Sequence, residues 1–178
     1  MTIEEIAEAA DVGRMTVFNH FRRKEDMFFD LDQVWRDDLL DALRRREPGV
    51  SSVEAFRQFA HQAVEQQKPY VDFSPESQRF NEVLEASEPL KARWRAIRDE
   101  AAEALAGALS EVAGSDYPDM EARFAAHLLA ATWSAAVTQG YAVFQISQDT
   151  RAAEATFLAL ADKGSAGVTV AMAGTPYV

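Results

Sequence analysis

The chain begins with two short stretches in which apolar residues recur at helical spacing. In the first stretch these residues fall on one face of a helix: Ile3, Ile6, Ala7 and Ala10. Thr2 followed three residues later by Glu5 is a capping box, which predicts a helix start at this point. The segment 11–13, Asp-Val-Gly, interrupts the pattern, and a second helix is predicted with Val17, Phe18 and Phe21 turned inward. The first 24 residues therefore predict a helix, a tight turn and a second helix.

The rest of the chain repeats the helical period of apolar residues, with breaks at proline and glycine. Helices are predicted at residues 25–46, 51–68, 75–87, 88–113, 119–147 and 151–163. The chain has only 8 glycines and 6 prolines, and they lie between periodic segments. No structure is predicted for residues 164–178, which are rich in Gly, Ala, Ser and Thr. The sequence thus predicts an all-α fold.

The predicted helix 119–147 contains a long uncharged span. Residues 124–146 carry no Lys, Arg, Asp or Glu, and these 23 residues are long enough to cross a bilayer. The span also contains His127, Gln139 and Gln145, and much of the remainder is alanine. A helix that is apolar nearly all round is also typical of a buried helix in a soluble protein. We therefore expect this helix to be buried in protein, and we expect no membrane partner.

A helix, a turn of three or four residues and a second helix form the DNA-binding helix-turn-helix. The N-terminal residues of the second helix then face base edges in the major groove, and here they are Arg14, Met15, Thr16 and Asn19. The fragments IAEAADV, GRMTVFNHF and KED follow one another in the order and spacing of TetR family transcriptional regulators, which the chain resembles. The resemblance implies double-stranded DNA as a partner. Phosphate contacts are expected from Thr2, His20, Arg22 and Lys24.

The chain departs from the family pattern at four places. Asp11 stands at the usual turn glycine, Gly13 at the usual serine cap and Phe18 at the usual tyrosine. Each of these suggests weaker phosphate contact rather than a different fold. The family also has a helix of about fifteen residues before the helix-turn-helix, whereas this sequence starts at Met1. Either the true start lies upstream or the protein lacks that helix, and an in-frame upstream continuation would distinguish the two.

Net charge and composition restrict the classes of protein to consider. The formal net charge is −11, which argues against a general nucleic-acid binder. The first 24 residues hold four basic and four acidic residues, however, so the rest of the chain carries the whole −11. There is no cysteine, which excludes disulfides and thiolate metal sites. The acidic, amphipathic start is unlike a secretory signal, and we expect a cytoplasmic protein.

The resemblance also implies a domain organisation and an assembly. Residues 1–46 would form the DNA-binding head, with 25–46 as a linker helix, and residues 49–178 would form a body for ligand binding and dimerisation. In the family, the last two long helices pair with their copies as a four-helix bundle. The uncharged span agrees with this because small residues there permit close approach: Ala130, Ala131, Ala135 and Ala136. A two-fold homodimer would bind a pseudo-palindromic operator.

Family resemblance further implies an effector pocket in the body. The body is rich in aromatic residues, and a few polar side chains could orient a ligand, which suits a small apolar or aromatic molecule. The expected ligand-binding residues are His61, Phe73, Phe80, Trp94, Trp133 and Tyr141, with Asn81, Arg98 and Gln139 as further polar candidates. Aromatic residues at helical spacing are also what an ordinary core would contain.

No catalytic motif is found, and neither a cofactor nor a metal site is expected. HExxH, GxSxG and glycine-rich phosphate loops are absent. An enzyme would require His61 and an acidic residue to meet in a pocket. The predicted function is a ligand-responsive DNA-binding transcriptional regulator, a repressor released from its operator by a small apolar or aromatic effector. The alternative is a helical ligand-binding or interaction protein without DNA-binding activity.

Overall fold

The computed structural model describes residues 2–21, 23–29 and 31–178, without the side chains of Ile3, Phe18 and Asp32. The described chain is all-α and has no β-strand, as predicted. The helices are α1 Ile3–Ala9, α2 Arg14–His20, α3 Asp32–Arg44, α4 Ser52–Glu65, α5 Pro75–Glu85, α6 Glu88–Val112, α7 Met120–Ser147 and α8 Thr150–Ala171. Two 3₁₀ turns, Lys24–Met27 and Pro69–Val71, lie before α3 and before α5.

The first two helices form the predicted helix-turn-helix. The Glu5 backbone N–H donates to the Thr2 hydroxyl at 3.2 Å, and the Thr2 N–H donates to the Glu5 carboxylate at 2.6 Å. This confirms the capping box. Asp11 adopts a left-handed conformation with φ of 52°, which a short polar side chain tolerates better than most. Gly13 caps α2 without a side-chain hydrogen bond, as expected from the missing hydroxyl.

The prediction of one continuous helix over 25–46 is wrong. The chain instead forms the 3₁₀ turn Lys24–Met27, and α3 begins only at Asp32. The Asp26 carboxylate accepts a hydrogen bond from the Arg23 N–H at 3.1 Å and stabilises the turn. Phe28 and Phe29 then pack against residues of α5 and α6, so local helical periodicity is overridden by a tertiary contact.

The main core lies between α3, α4, α6, α7 and α8. The longest helix, α7, confirms the predicted helix 119–147, and Asp119 caps it. The two residues between α7 and α8 bring these helices into an antiparallel pair. α4 ends at Glu65, earlier than predicted, and Gln67 that follows it has a left-handed φ of 51°. No described helix is long and apolar enough to span a membrane.

The last helix extends beyond the predicted end at residue 163. α8 continues to Ala171 and includes Gly164 and Gly167, because packing against α7 supports residues with low helical propensity. The tail beyond it is also ordered on the core. Tyr177 is 1% exposed, and its hydroxyl lies 3.2 Å from both carboxylate oxygens of Asp119. The tail therefore covers the start of α7.

Small residues allow α7 and α8 to approach closely. Several alanines at the contact are completely buried: Ala122, Ala125, Ala126, Ala136, Ala153 and Ala161. Gly164 on α8 faces Thr132 on α7, and a Cβ atom added at Gly164 would lie 2.2 Å from Thr132 Cγ2. Any larger residue at 164 must therefore push the helices apart.

We predict that Gly164→Ala destabilises the protein. Overpacking at this contact should cost about 1–3 kcal/mol, measured by urea unfolding at fixed protein concentration. Gly107→Ala on α6 is the control, because nothing lies within 4 Å of its added Cβ. That variant should be stabilised by about 0.5–1 kcal/mol. Thr132→Ala should recover part of the loss in the Gly164→Ala background, and equal effects of the two glycine changes would contradict the close contact.

Candidate DNA-binding surface and internal cavity

The recognition helix α2 presents one face to solvent. The four predicted base-contacting residues are all exposed: Arg14, Met15, Thr16 and Asn19. Met15 is 68% exposed, an unusual position for a large apolar side chain. The opposite face carries Val17, which is 6% exposed and packs inward as predicted. The structure thus leaves the proposed reading face exposed to solvent.

Charges on the head are arranged across its two helices. The Arg14 guanidinium lies 2.8 Å from the Glu4 carboxylate, and both side chains remain more than half exposed. Contact of Arg14 with a base would replace this exposed ion pair by hydrogen bonds, and an exposed ion pair contributes little stability. Thr2, His20 and Lys24, predicted to contact phosphates, are exposed as well. Arg22, the fourth predicted phosphate contact, lies outside the described residues.

The body contains a cavity of about 630 Å³. Its walls come from Phe28, Phe29 and Leu31, from the start of α3, from the turn at Pro69 and Tyr70, and from helices α5, α6 and α7. Its lining is rich in aromatic residues: Phe28, Phe29, Trp35, Tyr70, Phe80, Trp94, Trp133 and Tyr141. The volume and the apolar lining are typical of a small-molecule site. The three tryptophans of the chain all line this cavity.

The structure brings four of the six predicted ligand-binding residues to the cavity: Phe80, Trp94, Trp133 and Tyr141. Asn81 and Arg98 also line it, whereas Gln139 does not. Phe73 lies behind the wall, because it is 1% exposed and its ring contacts Tyr141 at 5.2 Å. Phe73 therefore supports the cavity without lining it.

His61 lies elsewhere, on the surface between α4 and α8. Its Nε2 atom is 2.8 Å from the Asp162 carboxylate, and both side chains are at least 40% exposed. Arg57 joins the same group through Glu54 and Asp162. His61 does meet an acidic residue, as the enzyme hypothesis requires, but neither residue lines the cavity.

Sequence reasoning missed the contribution of Phe28, Phe29 and Trp35 to the cavity. All three were predicted to lie in one helix over 25–46, and none was expected to line a cavity. The available signal was the pair of adjacent phenylalanines, because neighbouring positions of a helix point in different directions. A helix would have directed only one of them into a shared core.

Polar groups occupy one part of the cavity wall. Ser77 and Asn81 lie on one face of α5, and Tyr141 and Thr138 lie on α7. Burial raises the pKa of the Tyr141 phenol, and hydrogen bonds with Asn81 and Ser77 partly oppose this shift. The phenol therefore stays protonated at neutral pH, when it can both donate and accept a hydrogen bond.

The cavity is also connected to α3 through Tyr70. Its hydroxyl donates to the Asp38 carboxylate at 3.0 Å, and Lys68 donates to the same oxygen at 2.9 Å. The hydrogen bond from Lys68 lowers the pKa of Asp38, while burial and Asp38 raise the pKa of Tyr70. Tyr70 also packs against Trp133 at 6.2 Å between ring centroids. One side chain thus contacts both the cavity wall and α3.

Comparison with known proteins identifies the head. The family model described as bacterial regulatory proteins, tetR family, matches residues 1–31, which span the helix-turn-helix and the turn that follows it. The chain therefore carries the helix-turn-helix of a TetR family regulator, a class of DNA-binding transcriptional regulators. Searches of curated proteins and of solved structures each found no significant match.

Proposed function

We propose that this protein is a ligand-responsive repressor, released from its operator by a small apolar or aromatic effector. The observation that carries this is the cavity of about 630 Å³, one wall of which is the segment 28–31 that follows the recognition helix. A ligand there would contact the chain that leaves the DNA-binding surface. We further propose a head at 1–46, a body at 49–178 and a cytoplasmic location, where a bacterial regulator would meet its DNA.

DNA contacts are proposed to divide into two kinds. Arg14, Met15, Thr16 and Asn19 would face base edges, and Thr2, His20, Arg22 and Lys24 would face phosphates. The exposure of the described members of both sets supports this division. Met15 has only apolar atoms to offer, which suits the methyl group of thymine.

A homodimer is proposed through the outer faces of α7 and α8. On α7, Ala131 and Ala135 are exposed, whereas Ala130 and Ala136 are buried within the chain itself. The same outer faces carry large exposed apolar residues: Phe124 at 52%, Ile146 at 88% and Val170 at 78%. Exposed apolar surface beside small residues suits close pairing with a second copy. The two recognition helices would then read a pseudo-palindromic operator.

The effector is proposed to bind among Phe80, Trp94, Trp133 and Tyr141, with Asn81 available for a hydrogen bond. The effector can change the affinity for DNA by no more than the ratio of its own affinities for the two conformations of the body. An apolar or aromatic molecule with a few polar groups fits this lining, because aromatic rings line it together with polar side chains of α5, α6 and α7.

The first functional prediction concerns DNA contacts. With a duplex selected from random sequences, Lys24→Ala should weaken binding to all sequences alike and reduce the salt slope by about one. Arg14→Ala should instead change sequence preference, by about 1–3 kcal/mol if Arg14 pairs with guanine. Titration of selected and scrambled duplexes at several salt concentrations measures both effects. If both variants lose the same affinity on every sequence, the division into base contacts and phosphate contacts is refuted.

The second functional prediction concerns assembly of the proposed homodimer. Analytical ultracentrifugation at micromolar concentration should show a dimer, and Ala135→Glu should convert it to a monomer, because a charge would be buried in the interface. Ala92→Glu makes the same change at an exposed position on α6 and should leave the dimer intact. A monomeric wild-type protein would contradict the proposed assembly.

The third functional prediction concerns release of the protein from its operator by a ligand. A compound found by thermal-shift screening should change tryptophan emission and lower operator affinity by about 5- to 150-fold. Val137→Phe, which fills part of the cavity, should weaken binding of that compound, whereas Val143→Phe, which lies outside the lining, should not. A compound that binds the cavity tightly and leaves operator affinity unchanged would rule out release for that compound.

A further inference from the structure

The carboxylate of Asp26 links the chain that leaves the recognition helix to α6. The Asp26 Oδ2 atom accepts from the Arg23 backbone N–H at 3.1 Å, only three residues after the end of α2 at His20. The Asp26 Oδ1 atom accepts from the Arg93 guanidinium on α6 at 2.6 Å. Asp26 therefore joins α6 to the backbone that follows α2.

This ion pair is better shielded from water than the Arg14–Glu4 pair on α1 and α2. The side chains of Arg93 and Asp26 are 18% and 22% exposed, whereas Arg14 and Glu4 are 60% and 55% exposed. Arg93 also donates to Glu100 at 2.7 Å, and the hydrogen bonds to Glu100 and Asp26 raise the pKa of Arg93. A shielded and doubly hydrogen-bonded guanidinium holds its partners more firmly than a surface pair does.

The same junction contains part of the cavity wall. Phe28 stacks on Phe80 of α5 with ring centroids 4.1 Å apart, and Phe29 stacks on Trp94 of α6 at 5.9 Å. Trp94 follows Arg93 in the chain, so α6 contributes the ion pair and the aromatic wall from adjacent residues.

These aromatic residues belong to a small cluster, separate from the main core. It is built on Phe29, Leu84 and Ile97, and Phe28 and Trp94 pack against it. The main core contributes Trp133 and Tyr141 to the cavity. The cavity therefore lies between the core of the body and the cluster that attaches the head. A ligand that fills it touches both.

We propose that the Arg93–Asp26 ion pair and the Phe28–Phe80 stack couple occupancy of the cavity to the position of the recognition helix. This rests on the proposed function, and it makes Arg93 a positioning residue with no contact to DNA. Coupling between two sites is reciprocal. DNA binding at the head must then change the surroundings of Trp94, even when the cavity holds no ligand.

The test follows tryptophan emission while the full-length protein is titrated with a duplex selected from random sequences. Emission should change in step with DNA binding, and Trp94→Phe should remove that change, which assigns it to Trp94. Arg93→Met should reduce the DNA-induced change by about fivefold or more while the variant still binds the duplex. Asp26→Asn keeps the shape of the side chain and should reduce the DNA-induced emission change in the same way. If Arg93→Met does not fold, the result for Asp26→Asn tests the proposal on its own.

Arg123→Met is the matched control, because Arg123 pairs with Glu103 between α6 and α7, away from the junction. It should retain the full emission change. The proposal is overturned if emission does not respond to DNA in the wild-type protein. It is also overturned if the Arg93 and Asp26 variants show the same DNA-induced emission change as the wild type. The same holds if Arg123→Met loses as much of that emission change as Arg93→Met does. Failure to select any duplex is a different outcome, because it would refute the DNA-binding function itself.

Discussion

The close contact between α7 and α8 is the constraint on which the rest of the body depends. Gly164 leaves no room for a Cβ atom against Thr132, and Gly140 leaves none against Phe73. Because the pair is held together by small residues, its remaining faces are free for other contacts. One face of α7 carries Trp133 and Tyr141 to the cavity. The outer faces keep apolar residues in solvent, such as Ile146 and Val170. The same packing thus leaves one face of α7 to line the cavity and leaves the outer apolar faces of α7 and α8 exposed to solvent.

The opposite wall of the cavity is built differently. It consists of aromatic rings from the segment 28–31, α5 and α6, which form their own small cluster and do not merge with the main core. Unfilled apolar volume costs stability, since the lining atoms lose contacts that a packed core would provide. Such a cost is typical of a functional site. Here Phe28 and Phe29 of this wall lie on the part of the chain that follows the recognition helix.

Local chemistry allowed much of the fold to be predicted from the sequence. Thr2, Ser74, Ser87 and Asp119 each cap a helix with a side-chain hydrogen bond, and their helices begin where the sequence indicated. The helix-turn-helix was also predictable, because its signals lie within about twenty residues and include the left-handed turn at Asp11. Four of the six expected ligand-binding residues could be placed at the cavity because helical spacing put aromatic residues on the inner faces of α5, α6 and α7.

Only the tertiary structure decided the features that depend on residues distant in sequence. The break between Lys24 and Asp32 is set by Arg93, 67 positions after Asp26, and by packing on α5 and α6. The continuation of α8 through two glycines depends on α7 beside it. His61 found its acidic partner 101 positions away, on the surface instead of in the cavity. The sequence by itself therefore determined the helices, their caps and the DNA-binding motif, since these depend on neighbours within a turn or two. The position of the cavity and its attachment to the head were decided by which helices meet, which no local pattern encodes.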